Sequence, residues 1–218
     1  DPESQEAFRD RRAALLLAAG CFVVYNMNFT SHDAVDSIPC PYAALSLARE
    51  GDFDLFAGQF FKEFRRERHT EVLAIPLDVP RWGGLDWGYS PRPMVHLWAV
   101  MLPDGHLHIE HELVVRETVA AEAARLVIKE NQDYSIKLLA TYADPSMWIR
   151  SGQTGESIAE TMQREGLPLQ RANHERTNGW QRVRHWLRMA PDGRPWTTIN
   201  PDRCPLLTRT LPTLVHDP

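Results

Sequence analysis

VHLWAVMLPDGHLHIEHELVV, residues 95–115, reads as a complete β-hairpin, and the rest of the chain is organised around it. Val95, Leu97, Ala99 and Met101 alternate with His96, Trp98 and Val100, the two-residue period of a strand. Pro103-Asp104-Gly105 is a turn signal, because glycine adopts the positive φ that tight hairpins need, and LHIEHELVV supplies the returning strand. Upstream, a further apolar run ends in GLDWGYSP at 84–91, so a strand closing on Asp86 precedes the hairpin and makes three antiparallel strands in sequence.

Downstream the period changes. Val119, Ala123, Leu126 and Val127 form one apolar stripe and predict a helix over Thr118 to Glu130. A crossover helix leads to a parallel strand, and KLLATYA at 137–143 fits, ending at Asp144-Pro145 where proline stops the ladder. A second helix begins near Thr154 or Ser157, keeps Ile158 and Met162 on one face and stops at Gly166. LPLQRA at 167–172 is a short strand, and GWQRVRHWLRMA at 179–190 a third helix with Trp180, Val183, Trp186 and Leu187 inward. The order is β-β-β-α-β-α-β-α. It places Asp86 and Asp144 at the ends of two strands, rigid mounts for carboxylates that repel each other unless a divalent cation lies between them.

The chain has 218 residues, 43% of them hydrophobic and 24% charged, enough for one substantial core. Its net charge of −5 excludes a protein that coats nucleic acid over its whole surface and leaves room for a local basic groove. Cys21, Cys40 and Cys204 are odd in number and widely spaced, which fits a reducing compartment rather than a disulfide framework or a zinc ribbon. RRAALLLAAGCFVVY at 11–25 is too short in its apolar core to span a bilayer and is followed by polar NMNFTSHD instead of a cleavage site. Residues 1–50 read as an N-terminal appendage or linker remnant and 51–218 as the main domain; the start at Asp1 instead of Met is expected of a fragment or of a processed chain.

Three strands, a crossover helix and a fourth strand, with acids ending the first and fourth, resemble the RNase H-like fold: a mixed sheet of antiparallel and then parallel strands flanked by helices. Within it, the sequence resembles the nuclease domain of the large terminase subunit of tailed bacteriophages. The strings that carry the likeness are REGDFDLFAGQFFKEFRRERH at 49–69, GLDWGYSPRP, YADPSMW, RANHERTNGWQRVRHWL and CPLLTRTLPTLVHDP. The resemblance implies a two-metal endonuclease that cuts concatemeric double-stranded DNA with Mg²⁺ or Mn²⁺, Asp86 bridging the ions and Asp144 binding one of them. It also implies an upstream ATPase domain, a small terminase subunit and a portal as partners, no membrane, and the cytoplasm of a bacterial host. No GxxxxGK[ST] occurs, so any such ATPase lies before Asp1. The third acid of the family, in a His-x-x-Asp-Ala pattern, is not found before Pro218, so the domain is expected to be truncated at its C-terminus or to use another residue, with Asp217 the candidate.

Other residues invite competing readings. Asp104 belongs to the turn, and of Glu110 and Glu112 at least one is expected to face solvent, while one of the two has the reach to join the metal site. His106 and His108 share a strand face and His111 falls on the other, which reads as a solvated strand rather than a transition-metal site. Trp82 and Trp87, flanking the first aspartate, read as core. The segment 164–188 is locally positive, with Arg176, Arg182 and Arg184 as the candidate phosphate contacts, against the alternative of an ordinary solvated helix. Two other functions stay open: a DNA-gripping or docking module without catalysis, and another RNase H-like enzyme such as a resolvase or transposase.

Overall fold

A computed structural model describes residues 59–152, 155–172 and 176–214, with the backbone alone at 176–178. The readings of residues 1–50, of Thr154 and of Asp217 lie outside the described residues.

A short helix α1 (Arg66–His69) precedes β1 (Arg81–Asp86), β2 (Met94–Met101) and β3 (Leu107–Val115). Helix α2 (Ala120–Asp133) leads to β4 (Leu138–Ala143), which is followed by a 3-10 turn (Pro145–Trp148), α3 (Ile158–Arg164), β5 (Leu169–Arg171) and α4 (Arg176–Trp186). Strand β6 (Thr197–Ile199), α5 (Pro205–Thr210) and a final 3-10 turn (Leu211–Thr213) close the order. The six strands lie in the sequence β5-β4-β1-β2-β3-β6. β1, β2 and β3 are antiparallel, β4 and β5 run parallel to β1, and β6 runs parallel to β3. This is the mixed sheet of an RNase H-like α/β fold, with one edge strand, β6, that the sequence pattern did not announce. Gly105 sits at φ 88°, as the hairpin turn requires.

Both sheet faces are covered. On one, the back, α2 and α3 bury Ala123, Ala124, Val127, Ala159 and Met162 against Leu85, Met94, Trp98 and Ala143. On the other, the front, Phe60, Phe61, Phe64, Leu187, Leu207 and Leu211 cover Trp82, Val95, Leu97, Ala140 and Tyr142, with Trp180, Val183 and Trp186 of α4 packed against them. The inward face read for the third helix is therefore present. Trp82 is core on the front and Trp87 packs partly buried on the back. Val119 departs from its predicted stripe: α2 starts one residue later, at Ala120, and Val119 remains an extended N-cap, 58% exposed. Ser157 and Glu160 form a reciprocal capping box at α3, so that helix starts after Ser157. Among the described residues no helix is long and apolar enough to cross a membrane.

The histidine reading is corrected. His106, His108 and His111 are all buried, because the back helices and the edge strand β6 close over the sheet. His111 also shares the face of His108. In the β2–β3 ladder Ala99 pairs with Ile109 but Trp98 pairs with His111, so Glu110 is an inserted bulge residue that reverses the alternation beyond it. The His111 ring consequently lies 4.9 Å from that of Trp98, and its Nε2 meets Glu130 at 2.7 Å. The expectation of a solvent-facing glutamate is corrected too. Glu110 is held by both Nε (2.8 Å) and Nη2 (3.1 Å) of buried Arg81. Glu112 accepts the backbone N–H groups of Leu206 (2.6 Å) and Leu207 (3.0 Å) at the start of α5; burial raises its carboxyl above the usual range, partly offset by those two donors.

One position on β1 decides how the central strands lock together. His96 on β2 reaches across β1 to Thr141 on β4, Nε2 to Oγ1 2.9 Å, and it passes over Gly83. A Cβ at residue 83 would lie 2.4 Å from Thr141 Oγ1 and 2.5 Å from His96 Nε2, so only glycine leaves the bond room. Gly83→Ala is therefore expected to break a buried hydrogen bond and overpack the sheet, lowering stability by roughly 2–4 kcal/mol. Urea unfolding followed by tryptophan fluorescence measures this, and a loss below about 0.5 kcal/mol, the scale of an ordinary surface change, would contradict the assignment.

Candidate active site

Asp86 is the last residue of β1, central in the sheet and 7% exposed. Its neighbour Leu85 pairs with Ala143 on the parallel strand β4, so the next residue on each strand, Asp86 and Asp144, reaches the same level of the sheet. Leu85 and Ala143 pack into the back cluster, and strand alternation gives the front to the two aspartates, beside Val95, the β2 partner of Asp86. Two carboxylates are thus delivered side by side at the carboxyl ends of adjacent parallel strands, the position where open α/β sheets bind ligands. Asp144 is further fixed. Its Oδ1 accepts the backbone N–H of Ser146 at 2.7 Å, capping the 3-10 turn that Pro145 begins.

The loop leaving Asp86 is closed upon itself. A Cβ on Gly88 would stand 2.4 Å from the Pro93 carbonyl oxygen and 2.5 Å from that of Arg92, so glycine is what permits the chain to double back within a few residues of the carboxylate. Glu117 donates its backbone N–H to the Tyr89 carbonyl at 2.8 Å, joining this loop to the end of β3. The rim around the aspartates is therefore held on two sides by backbone contacts.

The remaining predicted site residues lie elsewhere or outside the described residues. Glu110 is tied to Arg81, whose own place is the opposite end of β1, and Glu112 to α5, so neither joins Asp86. Among the described residues no group of three or more His, Cys, Asp or Glu side chains is gathered as a metal site. Of the three arginines, Arg184 donates from Nη2 to the Phe60 carbonyl (2.9 Å) and lies over the Phe60 ring (5.1 Å), which binds α4 to the segment at the start of the described chain. Arg182 is exposed, and Arg176 is described by its backbone alone. Asp104 keeps to its turn, accepting the His106 N–H at 3.1 Å; the Arg194 guanidinium holds its carboxyl down to about 2. Cys204 is buried, and burial pushes its thiol up, away from the reactive thiolate form.

No protein-family model matches the sequence, and no curated protein matches it in sequence. Solved structures match it in fold. The large terminase of the thermophilic bacteriophage D6E superposes with a TM-score of 0.58 at 17% identity, over 73% of this chain and 38% of that one. The P22 large terminase nuclease domain gives 0.54 at 14% identity, over 70% of this chain and 78% of that one. The large terminase nuclease of thermophilic phage G20c with bound magnesium gives 0.51 at 10% identity, over 75% and 84%. The chain thus spans about two fifths of the D6E protein and most of each isolated nuclease domain, and the likeness is one of fold.

Proposed function

We propose that this chain, folded as the nuclease domains of large terminases are, is the metal-dependent endonuclease domain of a viral DNA-packaging terminase, hydrolysing phosphodiester bonds of concatemeric double-stranded DNA. The observation that carries the reading is the register of β1 and β4, which sets Asp86 and Asp144 at one level on adjacent parallel strands. Side-by-side carboxylates repel unless one is protonated or a cation sits between them. They are hard oxygen donors of the kind Mg²⁺ and Mn²⁺ take, so the residues present fit part of a divalent ligand set. In our reading Asp86 would be the ligand shared by the ions and Asp144, held in orientation by the Ser146 N–H, would hold one of them; Asp217, outside the described residues, is the proposed third ligand. The chemistry such ions supply when bound is polarisation of the phosphoryl oxygens and activation of water. The protein supplies rigid placement, since Asp86 ends the central strand β1 and Asp144 directly follows β4, where the Ser146 N–H holds it.

The same reading assigns residues 51–218 to the nuclease domain, Arg182 to the DNA surface, and an upstream ATPase domain, small subunit and portal to the complete assembly. Two measurements test it. The chain should nick or linearise supercoiled plasmid with Mg²⁺ or Mn²⁺ and not with EDTA. Metal should also raise the melting temperature, by about 5–10 °C at a hundredfold excess over Kd for a domain of this size, and the rise should vanish in Asp86→Asn/Asp144→Asn. Duplex binding with neither cleavage nor a metal-dependent melting shift would favour the DNA-gripping module instead.

A further inference from the structure

The described residues expose two large aromatic side chains, and one of them stands on the loop that leaves Asp86. Tyr134 is 40% exposed and ends α2 just before β4 begins, at the end of the sheet opposite the aspartates. Its ring is already in use, with the Arg203 guanidinium over it at 4.6 Å and the His111 ring 4.9 Å away. Tyr89 is 50% exposed, and among the described residues its ring makes no aromatic contact and its hydroxyl no hydrogen bond. It belongs to neither hydrophobic cluster of the sheet.

Backbone contacts set the place of Tyr89. Asp86 and Val95 are the last pair of the β1–β2 ladder, so the intervening residues loop out from the aspartate and return beside it. Three residues of chain keep the Tyr89 Cα at most about 11 Å from that of Asp86. Gly88 folds the loop against the Arg92 and Pro93 carbonyls, and the chain leaving β3 ties it at two further points. The Glu117 N–H donates to the Tyr89 carbonyl at 2.8 Å, and Arg116 Nη1 to the Pro91 carbonyl at 3.4 Å. An exposed ring is thus carried on a fixed backbone at the rim of the two carboxylates.

Such a ring binds at small entropic cost, because only two side-chain torsions remain to be ordered. Nucleotides present it with apolar sugar and base faces whatever their sequence. A neutral ring also suits this place on electrostatic grounds, since it neither pairs with the carboxylates nor repels a cation bound to them. We infer that Tyr89 packs its ring against a nucleotide of the DNA strand that crosses Asp86 and Asp144, close to the phosphate to be cut. The inference rests on the nuclease reading and adds to it a contact that holds the substrate by shape and not by charge.

The test is the affinity of the 218-residue chain for a DNA duplex and for a single strand of the same sequence, in EDTA and across a salt titration. Tyr89→Ala should weaken binding by roughly 5–20-fold and leave the slope of log K against log salt unchanged, because losing a ring contact releases no counterions. Tyr89→Phe keeps the ring and should bind as wild type does. A loss confined to the single strand identifies an unpaired base as the partner, and an equal loss on both identifies the sugar. Tyr134→Leu, at the other end of the sheet, should leave both affinities unaltered. Wild-type affinity in Tyr89→Ala would overturn the inference, whether or not that variant melts lower. So would an equal loss in Tyr134→Leu, or a Tyr89→Phe variant as weak as Tyr89→Ala, which would move the contact to the hydroxyl. Plasmid cleavage by Asp86→Asn in Mn²⁺ separates the two readings. If that variant still cuts, the nuclease reading fails regardless of Tyr89; if it is inert and Tyr89→Ala binds normally, only the Tyr89 contact fails. A wild-type chain that binds neither DNA at low salt overturns both.

Discussion

Asp86→Ala is expected to lower Mg²⁺- or Mn²⁺-dependent plasmid cleavage by roughly 10³-fold or more, the scale on which loss of a group that stabilises transition-state charge acts. The size follows from position. Asp86 sits on the strand between β2 and β4, level with Asp144, so its loss leaves a single carboxylate at the sheet edge where two met. The fold should survive, because the substitution removes a charge from beside another charge and shortens a side chain at a strand end instead of inside either hydrophobic cluster. Circular dichroism and thermal melting check that arm. Asp104→Ala is the control. Its carboxylate belongs to the turn after β2, at the end of the sheet opposite Asp86, so cleavage should remain at the wild-type rate. Cleavage that persists in Asp86→Ala would remove this residue from the site, and with it the reading that the β1–β4 register carries.

That register was legible in the sequence because its determinants are local. A proline after Asp144, a glycine in the turn after Asp104, and the strand period on each side of that turn act within a few residues, and the structure keeps the turn, the stop and both strands. What stayed hidden depends on distant partners. The bulge at Glu110 reverses the strand alternation, and the reason lies 29 residues away, in the buried Arg81 that clasps its carboxylate. β6 is a run of three residues, Thr197–Ile199, too short for any period to register, and it exists by pairing in parallel with β3. A two-residue period also cannot tell whether the second face of β2 is covered, and here α2 and α3 cover it. Arg184 shows the same limit for charge: a cation on a helix reads as a phosphate ligand until Phe60, 124 residues earlier, is seen beneath it.

The buried histidines predict a steep loss of stability in mild acid. His96 is held down to about 3, first by burial and then by the neighbouring His111, and His108 to about 4 by burial, opposed by Glu110. The groups facing them are the Thr141 hydroxyl, the Trp98 ring and His111 around His96, and the Thr198 hydroxyl (2.8 Å from Nδ1) with Glu110 near His108. An unfolded histidine takes up its proton near pH 6.5, whereas these two resist it while folded. The unfolded state thus binds more protons, and stability present above about pH 6.5 is lost as the pH falls toward the native values near 4 and 3. For His96 the full loss is on the order of 5 kcal/mol, comparable to the whole stability of many domains, so unfolding should set in before either histidine titrates in the native state. Asp104 pulls the same way only at still lower pH, and as a half-exposed group it contributes little. Urea unfolding between pH 7.5 and 4.5 should show stability falling steadily below about 6.5. His96→Gln, which retains an amide donor for Thr141 and does not titrate, should flatten the upper part of that fall even if its stability at neutral pH is lower. A wild-type stability unchanged between pH 7 and 5 would mean that these imidazoles accept protons in place, and that the lock His96 forms across Gly83 is looser than its geometry implies.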